Sequence, residues 1–184
     1  QQIVKIEVPE SWKSCEDEGL FAPQVKGGRK EVVDFVENIQ KKVNAQEGNN
    51  LPVSAFTEYA DGTTPSGTSA YEKRGIAVDI PVWIADNCIQ CNRCSYVCPH
   101  AVIRPIALTE EEAAKAPEGM QTVDMMGMPG MKFAITISAY DCAGCGSCAN
   151  VCPGKKGEKA LVLENMEANV GSQVFFDYGR SLPM

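Results

Sequence analysis

Two stretches of this chain repeat one spacing of cysteine residues, C-x2-C-x2-C-x3-C, and a proline follows the last cysteine in both. The cysteines of the first stretch are Cys88, Cys91, Cys94 and Cys98, and those of the second are Cys142, Cys145, Cys148 and Cys152. A cubane iron–sulfur cluster requires four thiolates that converge from different directions, and one such loop supplies three of them. The repetition therefore predicts two [4Fe–4S] clusters.

The fourth cysteine of each stretch is expected to begin a short helix, to point away from its own loop and to ligate the other cluster. The predicted ligands of cluster A are Cys88, Cys91, Cys94 and Cys152. The predicted ligands of cluster B are Cys142, Cys145, Cys148 and Cys98. Crossed ligation of this kind would tie the two stretches together and keep the clusters close enough for single electrons to pass between them.

Residues beside the cysteines are predicted to shield the clusters. Gly144 and Gly146 would let the second loop approach closely, because a glycine has no Cβ. The small or apolar residues expected to keep water off the sulfurs are Ile89, Val97, Ala143, Ala149 and Val151. The aromatic residues expected to do the same are Trp83, Tyr96 and Tyr140. His100, the single histidine, is expected beside a cluster or at the surface, and no catalytic side chain is predicted.

Disulfide bonds and zinc are the two competing uses of these cysteines. Nine cysteines would leave one unpaired in a disulfide framework, and the sequence shows no export signal, so we expect free thiolates. Cys15 lies far from the other eight and is predicted to be an ordinary thiol. Zinc in two four-cysteine sites is the competing metal, but zinc modules pair two knuckles through a variable spacer and do not repeat three cysteines plus Cys-Pro.

The cysteine stretches belong to an internal repeat that predicts the fold. Residues 83–106 align with residues 137–163, and each copy reads as an extended apolar stretch, a cysteine loop, a short helix and a second apolar stretch. This order predicts an α+β fold of the bacterial two-[4Fe–4S] ferredoxin-like type, with two βαβ halves related by a pseudo-two-fold axis. We place this domain at residues 51–184, with an acidic, methionine-rich insertion at about 105–132.

Within the insertion, Thr109 to Glu112 forms a capping-box pattern that predicts a short helix. Its methionines are expected to be adaptable core residues, because Met fills irregular gaps well. These methionines are Met120, Met125, Met126, Met128 and Met131.

Residues 1–50 are predicted to be a linking or wrapping segment. The alternation of Val4, Ile6 and Val8 predicts a short strand, which Pro9 would end. Apolar residues at helical spacing predict one amphipathic helix over about 30–43. They are Val32, Phe35, Val36, Ile39 and Val43.

The charge and hydropathy of the chain exclude several classes of partner. The formal net charge is −7, which disfavours nucleic acid and anionic membrane surfaces. No run of 18 or more apolar residues is present, and no signal peptide is recognisable at the first residues. We therefore expect a cytoplasmic location and protein partners only.

Beyond the cysteines, the sequence resembles the cluster-bearing region of pyruvate:ferredoxin (flavodoxin) oxidoreductase, an enzyme of anaerobes. The resembling stretches are NAQEGNNLPVSAF, AYDCAGCGSCANVCP and ADGTTPSGTSAYEKRGIAVDIPVWIADNCIQCNRCSYVCPHAVIRP. YEKRGIAV, residues 71–78, is the most specific of these features, because it is not general among ferredoxins.

The resemblance implies a role in pyruvate metabolism. In that family thiamine diphosphate, with Mg, decarboxylates pyruvate, coenzyme A takes the acetyl group, and electrons leave singly for ferredoxin or flavodoxin. A third [4Fe–4S] cluster lies elsewhere in the enzyme. By this resemblance the chain is a fragment or subunit that relays electrons and has no substrate site of its own. The alternative is a free-standing two-cluster ferredoxin that diffuses as a carrier.

Overall fold

A computed structural model describes residues 5, 7–10 and 27–183 of the chain. The strand predicted from Val4, Ile6 and Val8 includes residues outside this described part, and Cys15 lies outside it as well.

Two antiparallel sheets form the centre of the described structure. Their strands are β1 (Asp79–Trp83), β2 (Ile103–Thr109), β3 (Val123–Asp124), β4 (Met131–Ile137) and β5 (Leu161–Asn165). Strand β1 pairs with β5, while β4 lies between β2 and β3. Each of the two main pairs therefore joins one strand of the first repeat to one strand of the second. The predicted α+β fold is confirmed, and the strand pairing also interleaves the two halves.

The helices are short and surround these sheets. They are α1 (Lys30–Phe35), α2 (Lys41–Asn44), α3 (Arg93–Val97), α4 (Glu110–Ala114), α5 (Ser147–Val151), α6 (Met166–Asn169) and α7 (Gln173–Ser181). Helix α7 packs on β4 and buries Phe176, and Tyr178 on the same helix donates a hydrogen bond of 2.6 Å to the carbonyl of Glu112. None of the helices in the described residues has the length and apolar character needed to cross a bilayer.

Short 3-10 turns connect these elements and lead into both cysteine loops. They are Gly48–Asn50, Val53–Tyr59, Thr68–Tyr71, Ala85–Asn87, Ala139–Asp141 and Val170–Ser172. The turn Ala85–Asn87 ends immediately before Cys88, and Ala139–Asp141 ends immediately before Cys142. The two halves thus enter their loops through equivalent turns.

The predicted helix over 30–43 is present, but its apolar face is shorter than predicted. A π-helical turn, Val36–Gln40, joins α1 to α2. Residues Val32 and Ile39 are buried, whereas Val43 is 45% exposed. A π turn takes more residues than an α turn, so the residues after it rotate away from the buried stripe. The assignment of Val43 to the buried face was wrong for this reason.

The insertion contains the predicted capping box, in which the Thr109 side chain and the Glu112 backbone and carboxylate bond reciprocally. Its methionines divide into two groups. Met120 and Met125 pack against the core and Met131 is half-buried, but Met126 and Met128 are 66% and 49% exposed. The prediction that all the methionines fill the core was therefore wrong for these two. They occupy the connection between β3 and β4, which projects from the sheet and leaves their side chains in water.

Candidate metal centres

Two cavities collect the eight cysteines of the repeat. Cavity A is lined by Cys88, Cys91, Cys94 and Cys152, and cavity B by Cys98, Cys142, Cys145 and Cys148. Each cavity thus contains three cysteines from one loop and one from the other, which are the two predicted quartets. The space between the lining residues is about 350 Å³ in cavity A and about 370 Å³ in cavity B, part of it open to solvent.

Left-handed backbone conformations curve both cysteine loops. Gln90 and Asn92 have φ of 54° and 58°, and Gly144 and Gly146 have φ of 67° and 72° at the equivalent positions. A Cβ on Gly144 would lie 3.1 Å from a backbone oxygen of β1, so this glycine allows the close approach that the sequence predicted. The first loop takes the same shape without glycine.

Backbone N–H groups point at cysteine sulfurs in the same pattern in both halves. The donors and acceptors are Gln90 to Cys88 (3.4 Å), Val102 to Cys98 (3.4 Å), Gly144 to Cys142 (3.4 Å) and Ala160 to Cys152 (3.3 Å). A neutral donor aimed at sulfur favours the thiolate over the thiol and stabilises added negative charge. These bonds therefore suit cysteines that ligate an electron-accepting cluster.

The fourth cysteine of each stretch ends a helix, whereas the sequence had predicted that it begins one. Helix α3 starts at Arg93 and its C-cap is Cys98, and helix α5 has its C-cap at Cys152. The third cysteine, Cys94 or Cys148, is the second residue of each helix, and the three residues that follow it complete the helix before the fourth cysteine. Helices α3 and α5 pack against each other, and this contact carries each fourth cysteine across to the opposite cavity.

The cysteines of each loop differ in exposure. Cys94 and Cys148 are buried, and burial raises the pKa of both thiols to about 11. Burial also raises the pKa of Cys142. Cys91 and Cys145 are exposed, and hydrogen bonds with the backbone and hydroxyl of Ser147 lower the pKa of Cys145. The middle cysteine of each loop therefore marks the solvent edge of its cavity.

Orphaned polar atoms give an independent test of what cavity A can hold. Trp83 and Asn92 both line this cavity, and in the described part of the chain neither the buried Trp83 Nε1 nor the buried Asn92 Oδ1 has a hydrogen-bond partner. A buried N–H without an acceptor is costly. Sulfide and thiolate sulfurs are acceptors, so a cluster would satisfy the Trp83 N–H, although it would not satisfy the Asn92 oxygen, which is itself an acceptor. By the Trp83 donor, cavity A fits an iron–sulfur cluster.

The shielding predictions had mixed outcomes. Ile89 lines cavity A, and Ala143 and His100 line cavity B, but all three are themselves exposed, Ile89 by 40%, so they shield their cavities only in part. Three other predicted shields face water: Val97 and Val151 are each 37% exposed and Tyr96 is 89% exposed. These three residues lie on α3 and α5, on the faces turned away from the contact between the two helices.

A polar network before the second loop was not predicted. Lys73 Nζ donates to Asp141 Oδ2 at 2.6 Å and to Ser138 Oγ at 3.2 Å, and Ser138 Oγ donates to the same Asp141 oxygen at 2.6 Å. Gln173 Oε1 accepts from the backbone N–H of Tyr140 at 3.5 Å. The sequence contained one signal of this network, the unusual Glu-Lys-Arg triplet, but nothing that indicated its partners.

The fold and the two cavities define a 4Fe-4S dicluster domain, and the family model with that description matches residues 87–156. A second model, EKR, described as a domain of unknown function, matches residues 24–77.

Over nearly its whole length the chain is homologous to a segment of the pyruvate:ferredoxin and pyruvate-flavodoxin oxidoreductases, which confirms the resemblance. It is 43% identical over 182 residues, 99% of the chain, to a pyruvate-flavodoxin oxidoreductase of Enterobacter agglomerans. It is 43% identical over 186 residues, 100% of the chain, to a pyruvate:ferredoxin oxidoreductase of Moorella thermoacetica. The chain spans about 15% of the length of both relatives. A mitochondrial NADP+ pyruvate dehydrogenase of Euglena gracilis is 42% identical over 81% of the chain, which spans 8% of that relative.

Proposed function

We propose that this chain relays single electrons through two [4Fe–4S] clusters. The observation that carries the proposal is the arrangement of two cavities, each lined by three cysteines of one loop and one of the other. The dicluster family match supports the same conclusion. Each cluster, when bound, supplies a centre that takes up and releases one electron.

In this proposal the ligands are the two predicted quartets. Cluster A is held by Cys88, Cys91, Cys94 and Cys152, and cluster B by Cys98, Cys142, Cys145 and Cys148. The backbone donors described above stabilise the ligating sulfurs, and buried residues such as Trp83 and Ile135 exclude water from cavity A. The exposed cysteines Cys91 and Cys145 provide the edges at which electrons enter and leave.

The role of the complete protein follows from the relatives. We propose that the chain works as part of a cytoplasmic pyruvate:ferredoxin (flavodoxin) oxidoreductase that also contains thiamine diphosphate, Mg and a third [4Fe–4S] cluster outside these residues. Electrons from pyruvate would then pass through clusters A and B to ferredoxin or flavodoxin. The domain division, with a wrapping segment at 1–50 and the two-cluster domain at 51–184, stays part of the proposal.

Metal content tests the first part of this proposal. The full chain, reconstituted with iron and sulfide without oxygen, is expected to bind about eight irons and to give EPR signals of reduced [4Fe–4S] clusters. Colourless protein, or protein that takes up zinc in preference to iron, would refute the proposal.

Electron delivery tests the second part. In the complete oxidoreductase, Cys145→Ala is expected to stop the pyruvate-dependent reduction of flavodoxin, because one cluster is lost from the path. Cys15→Ala is the matched control and is expected to retain this activity. Unchanged flavodoxin reduction in Cys145→Ala would exclude the relay and favour a separate carrier.

A further inference from the structure

Lys73 presents an almost buried ammonium group beside the second cysteine loop. Its side chain is 9% exposed, pairs with Asp141 at 2.6 Å and lies 5.9 Å from the ring centroid of Phe176. Asp141 immediately precedes Cys142, the first predicted ligand of cluster B. Burying a charge costs free energy unless it is paired and hydrogen-bonded, and Asp141 together with Ser138 provides both here.

The segment around Lys73 holds the turn that leads into the cluster B loop. Besides the ion pair, the backbone N–H of Gly75 donates to the carbonyl of Tyr140 at 3.0 Å. On its other side, Glu72 accepts from Gln40 Nε2 at 2.9 Å and pairs with Arg74. The Glu-Lys-Arg triplet therefore contacts the π-helical turn with one acidic side chain and the cluster B loop with its lysine.

Among the residues that the structure describes, the first half of the repeat has no equivalent ion pair. Asn87 precedes Cys88 where Asp141 precedes Cys142, and its amide donates to the carbonyl of Lys159 at 3.2 Å. Ile84 stands at the position equivalent to Ser138. The charge pair is thus one of the features that distinguish the two cavities, beside Trp83 in cavity A and His100 in cavity B.

We propose that Lys73 is a positioning residue that balances the charge of Asp141 and so sets the reduction potential of cluster B separately from that of cluster A. The inference rests on the proposed electron relay and gives a role to the matched segment of unknown function. Reduction adds a negative charge to a cluster, so an unbalanced carboxylate nearby opposes it, although solvent screens part of the effect because the Asp141 side chain is 34% exposed. With Lys73 in place, cluster B accepts an electron more easily than it would beside Asp141 alone.

A redox titration of the full reconstituted chain, followed by EPR, tests this inference. Lys73→Met is expected to move one of the two reduction steps to lower potential, and Asp141→Asn to move the same step to higher potential. The double variant is expected to return close to the parent, because both charges of the pair are gone. Lys73→Arg keeps the charge and is expected to retain the parent potentials.

Asn87→Asp is the matched control for the other half, since it places a carboxylate before Cys88. It is expected to lower the step that Lys73→Met leaves unchanged. A purely structural role for Lys73 would instead give shifts of the same sign in Lys73→Met and Asp141→Asn, or would move both steps together.

The outcomes separate this inference from the proposed function. A chain that binds no iron refutes the relay itself, whereas about eight irons with unmoved potentials in Asp141→Asn refute only the role of Lys73. If Lys73→Met loses iron, the other two variants still test the inference. A reduction potential that does not change in Asp141→Asn, or one that falls in Lys73→Arg, would overturn it.

Discussion

Removing two cysteines at once distinguishes crossed from uncrossed ligation. Cys91 lines cavity A and Cys98 lines cavity B, although both belong to the same cysteine stretch. Crossed ligation therefore predicts that Cys91→Ala/Cys98→Ala damages both clusters, because each quartet loses one of its four thiolates. Iron should fall from about eight per chain to nearly none.

A second double variant, the reciprocal pair Cys98→Ala/Cys145→Ala, is expected to retain one cluster. Cys98 and Cys145 both line cavity B, so Cys98→Ala/Cys145→Ala should remove one cluster and leave about four irons. Iron and sulfide analysis after anaerobic reconstitution measures both variants, and Cys15→Ala should retain about eight irons as the control. About four irons in Cys91→Ala/Cys98→Ala, with none in the reciprocal pair, would refute the reasoning.

Packing, backbone strain and protonation provide further tests. Ile103 is 1% exposed, so Ile103→Ala should lower the free energy of unfolding in urea by about 2–5 kcal/mol, whereas Val53→Ala, at a 90% exposed site, should change it by less than about 0.5 kcal/mol. Gly154→Ala should lower iron retention, because its Cβ would lie 1.7 Å from a carbonyl oxygen of the same turn; Gly157→Ala, with φ +88° and no atom within 4 Å, should largely retain iron. Although burial alone would raise the pKa of Glu72, hydrogen bonds from neighbouring side chains hold it below its usual value. Its contribution is therefore present above the ordinary carboxyl pKa and lost as the pH falls through the lowered one. Relative to the intrinsic exchange rate at each pH, amide protection in the contacted turn Val36–Gln40 should fall in acid, and Glu72→Gln should abolish that pH dependence.

The cavities were predictable because their residues are close together in sequence. Three cysteines at spacing three curve a loop by themselves, and the fourth follows one helical turn later. The repeat also predicted two halves related by a pseudo-two-fold axis, but it did not predict that β1 would pair with β5 and β2 with β4. The confirmed fold therefore depended on local spacing and on one internal similarity.

The contacts that distinguish the two halves were not predictable, because they join residues far apart in the chain. Lys73 and Asp141 are 68 positions apart, and no sequence pattern around either residue indicates that they form an ion pair. Methionine residues also give little information about burial. Met126 is exposed and Met120 packs against the core, yet the sequence around them does not distinguish the two. Val43 is not on the buried face as predicted, because the π turn before it changes the angular position of the following residues. The hydropathy pattern does not reveal such a turn.

The pairing of β1 with β5 has a consequence for how the protein is made. On a ribosome, the loop that begins at Cys88 emerges more than sixty residues before Cys152 and more than seventy before the last strand residues that face β1. During that interval the nascent loop has three thiols and an uncovered strand edge. In the proposed crossed ligation, the cysteine set of cavity A is therefore complete only after Cys152 has been translated.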